Sequence, residues 1–247
     1  MALISLKDVA IEFPLYHFGA RSLKKRLLAR LKTDDSNRIV VAALRDLNIE
    51  INSGERVGLI GHNGAGKSTL LRTMAGIYAP VAGRLEVRGT VGSLIDPAAG
   101  IDPESTGIEN IRLHCLYRGM ERAATDAFIE EVGAFSGLGE FLDVPVRGYS
   151  AGMSVRLSFA MATAMTPEVL LMDEWFLAGD ADFMKSAETR MHSLVGGAEI
   201  LVLASHAHGI LRRWCNRIIH LDRGRIIADG PTEEVLGKVP EAASEAQ

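Results

Sequence analysis

The sequence predicts an α/β fold, a doubly wound and mainly parallel core sheet that carries a helical subdomain. Three observations predict it. Two runs without a polar residue, Val169–Met172 and Ile200–Ala204, have the length and composition of parallel strands buried on both faces. Strand and helix patterns alternate along most of the chain. A block at roughly 95–165 is instead helical, and it interrupts the alternation as an insertion would.

The elements follow in order. Residues 3–13 alternate apolar and polar and end in Phe13, ahead of a Pro-Leu-Tyr run that closes at Tyr16. Residues 20–32 read as a short helix with Leu23, Leu27, Leu28 and Leu31 near one face. The rest of that helix holds Arg21, Lys24, Lys25, Arg26, Arg30 and Lys32, with no acidic residue among them. A polar loop at 33–38 ends it, so the basic insert spans about 17–38. Strand patterns resume at Val40–Leu44 and Leu47–Ile51, and Ser53-Gly54 turns the chain into the strand Arg56–Ile60. A glycine-rich loop then opens a helix that runs to about Ala75.

Gly83 to Val91 reads as a hairpin. From about Ile108 to Gly133 the pattern is helical, with Gly119 and Gly133 as stops. A further helix starts after Ser150 and reaches about Met165, where Thr166-Pro167 ends it. Beyond the two buried strands, Arg217–Leu221 and Arg225–Ala228 form a closing hairpin, and a tail at about 240–247 is predicted to be disordered.

Composition narrows the function classes. The chain has 247 residues, 47% of them apolar, enough for one sizeable core. A formal net charge of −4 gives no global reason to bind nucleic acid. The two cysteines, Cys115 and Cys215, are far apart and outside any C-x-x-C spacing, which speaks against a zinc site or a disulfide framework. No stretch approaches 18 uninterrupted apolar residues, and the N-terminus lacks a signal-peptide pattern, so the chain is not expected to span a membrane by itself.

The chemistry centres on Gly61-His62-Asn63-Gly64-Ala65-Gly66-Lys67-Ser68, which fits G-x-x-x-x-G-K-[ST] between a strand and a helix. Glycines let the backbone fold into a nest of N–H donors around phosphates, and the helix adds the positive end of its dipole. Lys67 is expected at the β- and γ-phosphates of ATP, Ser68 on Mg²⁺ and Thr69 at the α-phosphate. A metal partner and a water-orienting group stand side by side after the strand Val169–Met172: Asp173 for Mg²⁺ and Glu174 as base.

Tyr149-Ser150-Ala151-Gly152-Met153, followed by a helix, resembles the signature loop of ATP-binding cassette (ABC) proteins. The resemblance implies a P-loop cassette with an antiparallel β subdomain beside the parallel core and the helical subdomain, all of 1–247 forming one nucleotide-binding domain. It also implies a head-to-tail dimer, in which Ser150 and Gly152 of one copy cap ATP held by the other. The commonest family wording is Leu-Ser-Gly-Gly-Gln, from which Tyr149, Ala151 and Met153 depart. Asp173 to Asp180 resembles the segment from Walker B into the D-loop, which makes Asp180 the residue that communicates across the dimer. His206 resembles the switch histidine at the γ-phosphate, and His208 reads as a surface residue. An aromatic near the end of the first strand usually stacks on adenine; Phe13 and Tyr16 both qualify. Where the family places a glutamine near Mg²⁺ and water, this sequence offers Asp96, which can accept from a metal-bound water but cannot donate.

The combination of Tyr-Ser-x-Gly-Met, Asp-Glu-Trp…Gly-Asp, Asp102-Pro103-Glu104-Ser105-Thr106-Gly107…Glu109-Asn110-Ile111 and a basic insert before the core resembles polysaccharide and teichoic-acid exporters. That branch implies an ATPase paired with a membrane permease at the cytoplasmic face of the bacterial inner membrane, exporting lipid-linked O-antigen, capsule or wall polymer. Some members append a carbohydrate-binding domain, for which this sequence has no room. The basic insert reads as a solvated helix or as a cationic amphipathic helix on the inner leaflet. Two other classes compete: a soluble ABC ATPase acting on nucleic acid or ribosomes, which usually carries tandem cassettes or a long coiled coil, and a non-hydrolytic ATP-dependent docking module.

Overall fold

The first strand, β1 (Leu3–Pro14), buries Ile4 and Leu6 and then, one residue out of phase, Val9 and Ile11. A strict alternation cannot do this, because a side chain changes face with every residue. The computed structural model, which describes residues 1–14, 31–33, 39–96, 100–173 and 181–239, supplies the cause. Asp8 adopts φ 52° where the register shifts between Leu6 and Val9, and the extra residue resets the phase. The facing strand repeats the device. Ala42 and Leu44 are buried before Asp46 (φ 52°), and Leu47, Ile49 and Ile51 after it. Asn48 ties down the first bulge, its side chain accepting from the Asp8 backbone N–H at 3.0 Å and donating to the Asp8 carboxylate at 2.9 Å.

Two expectations change here. The segments 40–44 and 47–51 are one strand, β3 (Ile39–Asn52), bent at Asp46. Leu31 and Lys32, expected in the last turn of a helix, belong to the strand β2 (Leu31–Thr33) and pair antiparallel with Val41 and Val40. The edge of β3 presents backbone donors and acceptors that an extended segment satisfies and a helix cannot. Residues 15–30 and 34–38 of the basic insert and the tail 240–247 lie outside the described residues.

β4 (Arg56–Ile60) and α1 (Lys67–Met74) flank the glycine loop. The expected hairpin over 83–91 does not form. β5 (Ala82–Arg88) pairs antiparallel with β1, Leu3 opposite Arg88 and Leu6 opposite Leu85, giving the sheet order β2-β3-β1-β5. Gly89 (φ 105°) then turns the chain away, and the Thr90 N–H donates to the Glu168 carboxylate at 2.7 Å. A separate short strand, β6 (Val91–Leu94), starts there. Both partners of the presumed hairpin were locally good strands, and each found a longer non-local partner.

The chain divides into two units, Met1–Val91 with Glu168–Glu174 and Glu199–Gln247, and Gly92–Pro167 with Trp175–Ala198. The second contains α2 (Gly107–Tyr117), α3 (Arg122–Ser136), α4 (Ala151–Thr163) and α5 (Ala181–Gly197). The last of these is not part of the linear block 95–165. The first unit continues with β7 (Val169–Asp173), β8 (Ile200–Ala204), α6 (His208–Trp214), β9 (Arg217–Asp222), β10 (Arg225–Pro231) and α7 (Thr232–Leu236). Its second sheet has the order β10-β9-β4-β8-β7-β6. β4 lies parallel to both β8 and β9, and β8 parallel to β7. Val169–Met172 and Ile200–Ala204 are all buried, as strands covered on both faces require. α1 packs against β7 and β8.

In the helical unit, Thr106 and Glu109 cap each other's backbone N–H groups at the start of α2. The fully buried Asn110 side chain bonds the Asp102 N–H at 2.7 Å and the Asp102 carbonyl at 2.9 Å. The 102–110 motif is therefore the closure of a loop onto a helix. Gly133 does not stop α3, which runs on to Ser136 and closes at Gly137 (φ 63°). Ile111, Cys115, Phe128, Val132, Leu142, Leu157 and Met161 form the core.

His114 stacks on Phe128 with ring centroids 5.5 Å apart, and its Nε2 has no hydrogen-bond partner among the described residues. Burial, and then the charge of Arg118, holds its pKa down at about 4. A histidine with a depressed folded-state pKa adds stability that is complete above its unfolded value, about 6.5, and is lost as pH falls towards 4. The melting temperature of wild type is therefore expected to fall more steeply over that window than that of His114→Phe, which keeps the stack. Parallel curves in melts at closely spaced pH would refute it.

Candidate functional site

β4 is a buried parallel strand, and the chain leaves its C-terminal end through Gly61 at φ 145°. A Cβ at Gly61 would lie 2.2 Å from the carbonyl oxygen of Leu221, so no side chain fits between this loop and β9. Gly64 (φ 76°) continues the turn, and Gly66 (φ 117°) is the N-cap of α1. No side chain caps that helix, and its first turn holds no acidic residue. The positive end of α1 therefore opens onto the loop.

Lys67 is buried, with only 8% of its surface exposed. Its Nζ donates to the Gly61 carbonyl at 2.7 Å and stands 3.1 Å from Nε2 of His206. With an ammonium as donor, Nε2 accepts and the ring proton sits on Nδ1. His206 follows the end of β8, where Ala204 is in register with Asp173 of β7 and with Leu59 of β4. Lys67, His206 and Asp173 thus come from three neighbouring chain segments at the carboxyl ends of adjacent parallel strands, the usual place for ligands in such sheets. Ser68 and Thr69 are half-buried in the first turn of α1.

On the outer side of the loop, His62 Nε2 lies 2.9 Å from Asp222 Oδ1, and Nδ1 lies 2.7 Å from the Asn63 carbonyl. Ala65 N–H donates to the His62 carbonyl at 2.9 Å. Phe13 is half-buried and meets Tyr78 edge-on, with centroids 5.1 Å apart. His208, read from sequence as a surface residue, is instead buried at the start of α6 with 6% exposure. An imidazole's apolar body suits such a site when the helix packs on a sheet.

Ser150, Gly152 and Asp96 belong to the helical unit. Ser150 is the N-cap of α4 and its hydroxyl accepts from the Met153 N–H at 3.3 Å. The Tyr149 hydroxyl donates to the Phe141 carbonyl at 2.6 Å, so the tyrosine at this place fixes the turn before α4. Asp96 is exposed beyond the end of β6. Tyr16, Glu174 and Asp180 lie outside the described residues. The hairpin of β9 and β10 was legible in the sequence, but nothing local says that its turn lies against the loop.

Residues 44–177 match the family described as ABC transporter. This chain belongs to the ABC transporter family. As a member it is an ATPase that binds ATP. It is 44% identical over 231 residues to the O-antigen export system ATP-binding protein RfbE of Yersinia enterocolitica, covering 92% of this chain and 97% of that relative. It is 39% identical over 251 aligned positions to the O-antigen export system ATP-binding protein RfbB of Myxococcus xanthus. That alignment takes in 100% of this chain but 57% of the relative, so the chain spans little more than half of it. A solved ATP-binding subunit of an ABC transporter shares the fold, with a TM-score of 0.70 at 22% identity over 96% of this chain and 92% of that one.

The cassette's residues fit a nucleotide with a divalent cation. The glycine cradle is space that a Cβ would fill, at Gly61 against Leu221 and at Gly66, where Leu44 Cδ2 would be 2.9 Å away. Ser68 offers a hydroxyl and Asp173 a carboxylate, a sparse oxygen set of the kind that leaves most positions of Mg²⁺ to phosphate and water.

Proposed function

We propose that this chain is the motor subunit of an exporter that moves lipid-linked cell-surface polysaccharide, of the O-antigen, capsule or wall-polymer type, across the bacterial inner membrane. The observation that carries the reading is that Lys67 bonds Gly61 of the glycine loop and meets His206, at the end of the sheet where β7 closes on Asp173. The likeness to the two O-antigen export proteins supports the substrate class.

In this reading the backbone of Gly61–Gly66 and the N-terminus of α1 receive the phosphates. Lys67 moves from the Gly61 carbonyl to the β- and γ-phosphate oxygens, and Thr69 reaches the α-phosphate. Ser68 and Asp173 hold Mg²⁺, whose charge offsets that of the phosphates. Glu174 orients the attacking water and accepts its proton, while His206 touches the γ-phosphate. Phe13 or Tyr16 stacks on adenine, and Asp96 accepts from water near the metal. Ser150 and Gly152 of a second copy complete each site, and Asp180 links the two. The subunit acts from the cytoplasmic face, held there by a membrane permease. No helix among the described residues is long and apolar enough to cross a membrane. Expressed with its permease, the chain is expected to co-purify with it and to release phosphate from ATP. Purification with ribosomes or nucleic acid instead, or binding of ATP without phosphate release, would overturn the reading.

The basic insert is the proposed membrane contact. Lys24, Lys25 and Arg26 carry like charges on one short segment, and an anionic leaflet attracts each by about 1 kcal/mol. Neutralising the trio is expected to lower export by several-fold while sparing ATPase activity of the isolated subunit. Unchanged export would remove this role.

A further inference from the structure

The turn joining β9 to β10 holds the phosphate-binding loop from outside at three successive points. The Leu221 carbonyl closes the space beside Gly61, where a Cβ would come within 2.2 Å. Asp222 Oδ1 takes Nε2 of His62 at 2.9 Å. Gly224 N–H donates to the Ala65 carbonyl at 2.8 Å, while the Gly224 carbonyl accepts from the Arg45 N–H at 2.8 Å. Arg223 (φ 47°) and Gly224 (φ 77°) give the turn the left-handed conformation that suits a two-residue hairpin. A Cβ on Gly224 would sit 2.3 Å from the Ala43 carbonyl, so the turn is wedged between the loop and β3.

The middle contact is chemically distinct from its neighbours. Both atoms facing the His62 ring, a backbone carbonyl oxygen and a carboxylate oxygen, accept hydrogen bonds. A neutral imidazole donates from one nitrogen only, and an imidazolium donates from both. We propose that Asp222 is a positioning residue for the ATP-binding loop, acting through a doubly protonated His62 that bridges the turn to the loop. The proposal rests on the reading of Gly61–Thr69 as the ATP site.

The side chains of His62 and Asp222 are 52% and 41% exposed, and a surface pair of this kind contributes little to global stability. Its effect falls on the loop, whose flanking contacts to the hairpin are the close approach of Gly61 to the Leu221 carbonyl and the backbone bond from Gly224 to Ala65. His220 and Asp222, both on β9, act electrostatically with the ring, while Arg223 lies in the turn, Arg225 opens β10 and Lys67 opens α1. Arg225 is paired with Asp46 at 3.1 Å, and Lys67 Nζ is on the Gly61 carbonyl. His220 is held below its usual range by burial, opposed by Asp222 and reinforced by His62. A ring that donates from both nitrogens is positive, and a positive ring in the loop and a polyphosphate favour one another.

The test is the KM for Mg-ATP of the full chain between pH 6 and 8.5, with kcat and melting temperature measured alongside. Wild type is expected to show KM rising several-fold with pH at near-constant melting temperature. Asp222→Asn is expected to raise KM at pH 6.5 by about threefold to tenfold, with kcat changed less than twofold, and to flatten the profile. Asp222→Glu restores part of the affinity. His62→Arg, a permanent two-sided donor, keeps KM low at pH 8.5, and a KM that rises with pH in this variant as in wild type would show that His62 does not carry the dependence. If Asp222→Asn hydrolyses ATP with the wild-type KM at every pH, the positioning role is wrong while the ATP site stands. If wild type binds no ATP, the site reading itself falls and takes this proposal with it.

Discussion

Glu174→Gln is expected to bind ATP, form the head-to-tail dimer and stop turning over. Asp173 is the last residue of a strand whose preceding residues are buried, in register with the strand that leads to His206. Asp173 thus stands at the same end of the sheet as the segment where His206 meets Lys67, and Glu174 follows it in sequence. A carboxylate there can orient water and take its proton; the amide matches its shape but accepts no proton at neutral pH. A general base contributes roughly 10²- to 10⁴-fold. We expect kcat to fall at least about 100-fold by phosphate release, while ATP affinity changes less than about threefold and size exclusion with ATP reports the dimer. A kcat within about tenfold of wild type would contradict the assignment of the base.

Gly61→Ala is the second large effect. The backbone at Gly61 has φ 145°, and a Cβ there would meet the Leu221 carbonyl at 2.2 Å and the Ala65 Cβ at 2.9 Å. Neither neighbour is the free end of a flexible side chain, so the loop must move off β9. That displaces the carbonyl to which Lys67 donates and carries His62 away from Asp222. ATP affinity is expected to fall by more than about tenfold, or about 1.4 kcal/mol. Gly76→Ala is the control. Its φ is 75°, but nothing lies within 4 Å of the added methyl, so it carries only the left-handed strain of about 1–2 kcal/mol. Its melting temperature should drop while its ATP affinity stays that of wild type. Equal affinity in both variants, by equilibrium binding of a fluorescent nucleotide, would show that the close approach to β9 does not shape the loop.

Much of the fold was legible because its signals are local. Arg56–Ile60 and Ile200–Ala204 were read to the residue, since an apolar run bounded by glycine or polar residues specifies a buried parallel strand by itself. The loop of Gly61 to Lys67 was legible for the same reason, as its glycines occupy conformations that other residues resist. The family and the ATPase followed from those motifs. What misled were patterns with two local meanings. Asp46 looks like a break between strands and is a bulge within one. Gly133 looks like a helix stop, yet the stop is Gly137, where φ turns positive. His208 looks like a surface residue beside a functional one, and the packing of α6 buries it.

The sequence by itself determined most core strands and helices, the family, and the place of the glycine loop between β4 and α1. All of this rests on short-range periodicity and on residue types at fixed spacing. Only the tertiary structure decided which strands pair, so that β5 joins β1 and forms no hairpin with β6. It alone placed His206 on Lys67, 139 positions apart, and Asp222 on His62, 160 positions apart. The strand pairings form because buried backbone groups must be satisfied by whichever edge the packed core brings near; those pairings then bring the side chains together, and chain spacing carries no record of that choice.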